Sequence, residues 1–139
     1  MCHITHVTLF RLQLGSGQSI FEQVVFAAKK AFISGEFQPG QPFPSVRSMA
    51  TELKIHPNTA HKVIQHLIQE GYLKVHPGIG TIVAEIPEPR PAEKKRLLRE
   101  EIERLVVEAK RLGLELQQVT QAVEAHWARL DRSMEVLHK

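Results

Sequence analysis

One cysteine, one tryptophan and one tyrosine are all that 139 residues contain. A lone Cys2 excludes an internal disulfide framework and suits a reducing compartment, so the expected location is the cytoplasm. Apolar runs extend only a few residues, so no membrane span is expected. The first residues lack a basic stretch followed by an apolar core, and no secretion signal is expected. Low-complexity tracts and internal repeats are missing too. Excess charge is small: the formal net charge is +3, with a pI near 9.2, compatible with nucleic acid without demanding it. Catalytic signatures are also missing. Ser45 sits in no nucleophile elbow, no carboxylate pair stands in an expected pocket, and no lysine has the context of a Schiff base. Neither an enzyme nor a cofactor is expected.

What the chain does have is a patterned middle. Ser19, with Glu22 three residues on, is a capping box. Ile20, Val24, Ala27, Ala28, Ala31 and Phe32 then follow helical spacing, with Lys29 and Lys30 on the other side, and Gly35 stops the helix. Phe37 to Pro44 carries three prolines and a glycine, which rules out a helix. Ser45 caps a short helix from Val46 to Leu53, with Val46, Met49, Ala50 and Leu53 inward. Lys54-Ile55-His56 is a turn. Pro57 has the fixed φ of a first helical position, which leaves His56 at the cap. A third helix runs to about Glu70, with Ala60, Val63, Ile64, Leu67 and Ile68 buried, and Gly71 ends it. A hairpin follows: Tyr72 to His76, a turn at Pro77-Gly78, then Gly80 to Ala84. Two capped helices and a hairpin in this order make a winged helix-turn-helix, whose second motif helix suits a DNA major groove.

Pro44-Ser45-Val46-Arg47, Pro57-Asn58-Thr59 and Gly78-x-Gly80-Thr81 after Glu70-Gly71-Tyr72-Leu73 resemble the DNA-binding domain of GntR-family transcription regulators, in the YtrA-type variant. The resemblance implies that Arg47 lies against DNA, where its guanidinium fork can hold guanine or phosphate. The alternative is a solvated surface arginine. Asn58, Thr59, His61, Lys62 and Gln65 oppose the buried stripe and can bond base edges and phosphates. Free amides in the first turn, around Asn58 and Thr59, would attract phosphate. Ser45 and the wing residues His76, Gly78, Gly80 and Thr81 complete the expected DNA-binding set, the glycines by letting backbone approach DNA.

Two departures from the family pattern matter. Arginines common at the positions of Pro57 and His61 are absent, so the base preferences of arginine-rich members do not carry over. His76 and Ile79 flank the wing glycines where a cation is usual, which implies a weaker wing contact. Between Ser19 and Ile86 there are six Lys or Arg against five Asp or Glu, a net of +1, with four histidines at positions 56, 61, 66 and 76.

Pro87, Pro89 and Pro91 form a stiff linker. Beyond it, Leu98, Ile102, Leu105, Val106, Ala109 and Leu112 mark one helix, ended by Gly113. Leu116, Val119, Val123, Trp127, Leu130, Met134 and Leu137 mark a second. Two joined helices cannot cover both stripes by themselves. The resemblance implies that this pair dimerises. Trp127 is a candidate anchor, because large aromatic side chains dominate such interfaces; the alternative is that Trp127 packs within its own subunit.

The expected fold is therefore mainly α with a small β-hairpin. It comprises an arm over residues 1–18 with a short strand at Thr8–Leu14, a winged helix-turn-helix over 19–86, and a linker with a two-helix dimerisation segment over 87–139. The expected function is a homodimeric repressor on an inverted-repeat operator in double-stranded DNA. About fifty tail residues are too few for the effector domain of larger GntR proteins, so a small-molecule effector of unknown identity would need a cleft. Two alternatives stand beside this: a winged-helix module for protein interaction without DNA binding, and a metal-responsive sensor using Cys2, His3 and His6, which lack an obvious fourth ligand.

Overall fold

The computed structural model describes residues 17–138, with side chains to Asp131. The expected strand at Thr8–Leu14 and the Cys2, His3 and His6 cluster lie outside them. The described chain divides into two compact units, one up to Pro87 together with residues 133–138 and one from Glu88 to Arg132.

In the first unit, α1 (Ile20–Ser34) starts where the Ser19 hydroxyl accepts the Glu22 N–H at 3.1 Å. It stops at Gly35, whose φ of 84° is open to glycine at little cost. Ser45 plays the same part for α2 (Val46–Leu53), accepting the Ser48 N–H at 3.1 Å. Helix α3 (Pro57–Gln69) follows after the Lys54-Ile55-His56 turn. Strands β1 (Leu73–His76) and β2 (Gly80–Val83) pair antiparallel, with Leu73 opposite Val83 and His76 opposite Gly80.

The proline-rich segment before α2 is not a plain loop. Gly40 N–H donates to the Val83 carbonyl (2.8 Å), Val83 N–H to the Gln41 carbonyl (2.8 Å) and Phe43 N–H to the Thr81 carbonyl (2.9 Å). It therefore covers the free edge of β2. Pro42 sits opposite Ile82, where these bonds require no N–H from it.

The core is the expected stripe of each helix closed by the sheet: Val24, Ala28, Ala31, Met49, Ala60, Val63, Leu67, Leu73 and Val83 are all buried. Ile20, Ala27, Val46, Ala50, Leu53 and Ile68 are partly buried against it. Phe32, Phe37 and Phe43 form an aromatic cluster with centroids 5.1–5.9 Å apart, and Tyr72 stacks on Phe32 at 5.5 Å. Such tilted and offset pairs contribute beyond the area they bury.

Lys29 on α1 bonds Glu70 just past the end of α3 at 2.8 Å, and His66 reaches the same carboxylate at 3.0 Å. The hydrogen bond from Lys29 is the main cause that holds the Glu70 carboxyl below its ordinary range; partial burial opposes it, and the charges of Lys29 and His66 add to the lowering. A depressed folded-state value means this pair stabilises the fold above the ordinary carboxylate range and stops doing so as pH falls through the depressed value. The carboxylate is substantially exposed, so screening keeps the effect small. Glu70→Gln should cost about 0.3–1 kcal/mol at neutral pH. Its unfolding midpoint should converge on that of the parent as the pH is lowered below about 4. Denaturant unfolding across pH 3–7 checks this, and a constant difference at every pH would contradict it.

In the second unit, α4 (Pro91–Arg96), a π turn (Leu97–Glu101) and α5 (Ile102–Arg111) follow without a break. The Arg90 N–H donates to the Glu93 carboxylate at 2.8 Å at the start. The helix thus begins seven residues before the first marked apolar position, Leu98. The π turn, whose Ile102 N–H reaches the Leu97 carbonyl, adds a residue to the helical spacing. Gly113, at φ 76°, ends the rod. Helix α6 (Leu116–His138) starts with the Glu115 N–H on the Gln118 side-chain carbonyl at 2.9 Å.

Candidate nucleic-acid interface

Arg47 projects from α2, exposed and with no hydrogen-bond or ion-pair partner among the described residues. Asn58, His61, Lys62 and Gln65 are exposed along one side of α3, spaced three and four residues apart, and Thr59 is half-buried beside them. Lys62 also has no partner among the described residues. His61, Lys62, Gln65, His66 and Gln69 line one shallow hollow with Phe21 of α1. There the Phe21 and His66 rings meet edge to face at 5.4 Å. The sequence reading missed Phe21, His66 and Gln69 at this surface. Their positions on α3 could have been read from its periodicity, whereas Phe21 comes from the packing of α1 on α3.

The first turn of α3 differs from the expectation in one respect. Its amides are not free. Pro57 has no N–H, Asn58 N–H donates to His56 Nδ1 at 3.0 Å, and Thr59 and Ala60 N–H donate to the His56 carbonyl at 3.0 and 3.1 Å. This end therefore offers a phosphate side chains and the helix dipole, not vacant backbone donors. Ser45 is likewise committed first to its cap on α2.

The wing tip is a turn closed by Ile79 N–H on the His76 carbonyl at 3.1 Å. Gly78 and Gly80 have φ of 82° and 107°, and a Cβ at either would meet nothing within 4 Å. Backbone conformation alone accounts for both glycines, so their presence needs no appeal to close approach of DNA. His76 is exposed, its Nδ1 3.1 Å from the Pro77 carbonyl, and Thr81 is half-buried. Lys74 on β1 is an exposed cation that the sequence reading passed over.

A separate cavity of about 230 Å³ is lined by Phe32, Ile33, Phe37, Val83, Ile86 and their neighbours, with no titratable side chain. It offers nothing for acid–base chemistry. Among the described residues no three His, Cys, Asp or Glu side chains are grouped to hold a metal. No described helix is long and apolar enough to cross a membrane.

Residues 21–83 match the family described as bacterial regulatory proteins, gntR family. The HTH-type transcriptional repressor YtrA of Bacillus subtilis is 31% identical over 105 residues, spanning 75% of this chain and 81% of that one. The chain belongs to the GntR family. It is of the YtrA type, a DNA-binding transcription regulator rather than an enzyme. Among solved structures, YtrA from Sulfolobus acidocaldarius, a GntR-family transcription factor, aligns with this GntR-family chain at a TM-score of 0.58 and 25% identity, covering 71% of this chain and 98% of that one. A transcriptional antiterminator from Listeria monocytogenes EGD-e aligns at 0.76 and 22% identity, over 87% of this chain and 91% of that chain, and shares the fold.

Proposed function

We propose that this GntR-family regulator represses transcription as a homodimer on an inverted-repeat operator, with residues 19–86 binding DNA and 87–139 joining two copies. The observation that carries the DNA-binding part is the exposed side of α2 and α3, where the side chains of Arg47, Asn58, His61, Lys62 and Gln65 have no partner among the described residues. Unpaired polar and cationic groups along a helix sized for the major groove are what base and phosphate contacts require. Ser45, Thr59 and the wing residues His76, Gly78, Gly80 and Thr81 complete the proposed set.

The homodimer is supported by the second unit. Leu98 and Trp127 are 71% and 70% exposed in the single chain, and Ile102, Leu105, Val106, Leu112, Leu116 and Val123 are exposed too. Val119 and Leu130 are half-covered. Ala109 is already buried within the chain and can add little to an interface. The side chains of Met134 and Leu137 lie outside those described. So much apolar helix surface is unusual without a partner, and a second copy offers the same stripes for two-fold pairing. Repression follows the named role of the Bacillus subtilis relative.

Salt-dependent binding tests the DNA face. Lys62→Ala should weaken binding to all sequences alike and reduce the slope of log affinity against log salt by about 1 per subunit. Arg47→Ala should cost about 1–3 kcal/mol on specific DNA. If both variants keep the parent's affinity and slope, DNA lies elsewhere, and the protein-interaction reading of this face gains ground.

A further inference from the structure

One residue closes the whole first turn of the recognition helix α3. His56 accepts the Asn58 N–H through its ring and the Thr59 and Ala60 N–H groups through its carbonyl, while Pro57 has none to place. His56 itself is extended, at φ −64° and ψ 139°, with an exposed side chain. A ring nitrogen can accept only when unprotonated, so the cap selects the tautomer with its proton on Nε2. Helix caps are usually short side chains such as Ser, Thr, Asp or Asn. An imidazole does the same work with a planar ring, tying the turn between α2 and α3 to the amide of Asn58, a residue aimed at DNA.

We propose that His56 is a positioning residue for base readout: its Nδ1 bond to Asn58 sets the first turn of α3, and with it the side chains of Asn58 and Thr59. The proposal rests on the reading of Asn58 as a base contact. A frayed first turn would leave the phosphate contacts of Lys62, a full turn further on, in place. The loss should therefore fall on discrimination between sequences rather than on binding as such.

The test uses the full chain and a duplex selected from a random pool, compared with versions altered one base pair at a time and with random-sequence DNA. His56→Ala should lower discrimination about tenfold at the base pairs that Asn58→Ala also affects, leaving random-sequence binding unchanged. His56→Asn, which keeps a cap acceptor, should restore it. If Asn58→Ala abolishes discrimination and His56→Ala does not, the positioning role is wrong while the base contact stands. Equal losses on selected and random DNA would overturn it too, because they mark a phosphate contact by the ring. Unchanged discrimination in Asn58→Ala overturns it through its premise and locates the failure in the Asn58 assignment.

Discussion

A chain cut before Pro91 should bind a two-half-site duplex about 10²–10⁴-fold more weakly than the intact protein. One winged helix-turn-helix reads one half-site. When two are joined, the second binds at a high effective concentration set by the link between them, and that advantage disappears when the link is removed. The first unit has its own core, from Val24 through Val83, so the shortened chain should still unfold cooperatively and bind a single half-site about as well as before. The substitution Leu105→Glu combined with Val106→Glu should act similarly in the full-length chain. Both side chains are exposed in the single chain, at 42% and 41%, so the change is tolerable in a monomer. In an apolar interface it buries unpaired charge. Light scattering and binding to one- and two-site duplexes read both effects. Equal affinities for the two duplexes in the intact protein would remove the dimer from the account.

Phe37→Ala should cost about 3–5 kcal/mol of stability. Phe37 is 1% exposed, with its ring against Phe32 and Phe43 at 5.9 and 5.1 Å. Removing it leaves a hole between the end of α1 and the segment that edges β2, where the rigid neighbouring rings cannot collapse inward. The Phe37 N–H also donates to the Ala31 carbonyl at 3.2 Å, which fixes the chain's exit from α1. That bond survives the substitution, so the loss is one of packing. Small domains hold only about 5–15 kcal/mol in total, and the variant should lose most of its DNA binding near body temperature through unfolding. Denaturant unfolding measures the cost directly, and a loss below about 1 kcal/mol would mean the aromatic cluster does not organise this core.

The helix ends were legible because each carries its own chemistry: the hydroxyls of Ser19 and Ser45, the fixed φ of Pro57, and the glycines at 35 and 113. The buried stripes were legible because period 3.6 separates Val24 and Ala28, or Val63 and Leu67, from their polar neighbours. The strand-like pairing of residues 40–43 was hidden, since Pro39, Pro42 and Pro44 argue against a strand unless one knows that Pro42 falls where no donor is needed. The π turn at Leu97–Glu101 was hidden because a regular period was assumed through it.

At the proposed DNA surface, periodicity put the residues on the outer sides of α2 and α3 and the family resemblance made Arg47 a candidate contact, while two features needed coordinates. One is the satisfaction of the Asn58 and Thr59 amides by His56: the sequence put His56 at the cap, but not its ring nitrogen on the Asn58 N–H. The other is the approach of Phe21 to His66, which depends on how α1 crosses α3. For the tail, the sequence marks apolar residues without saying what covers them.

The most direct test of the account is selection of duplexes from a random pool by the full-length protein. The account predicts enrichment of an inverted repeat whose half-sites are centred about one helical turn, roughly 10 base pairs, or a multiple of it apart. Enrichment of a single site without two-fold symmetry, or no enrichment above random DNA, would contradict it.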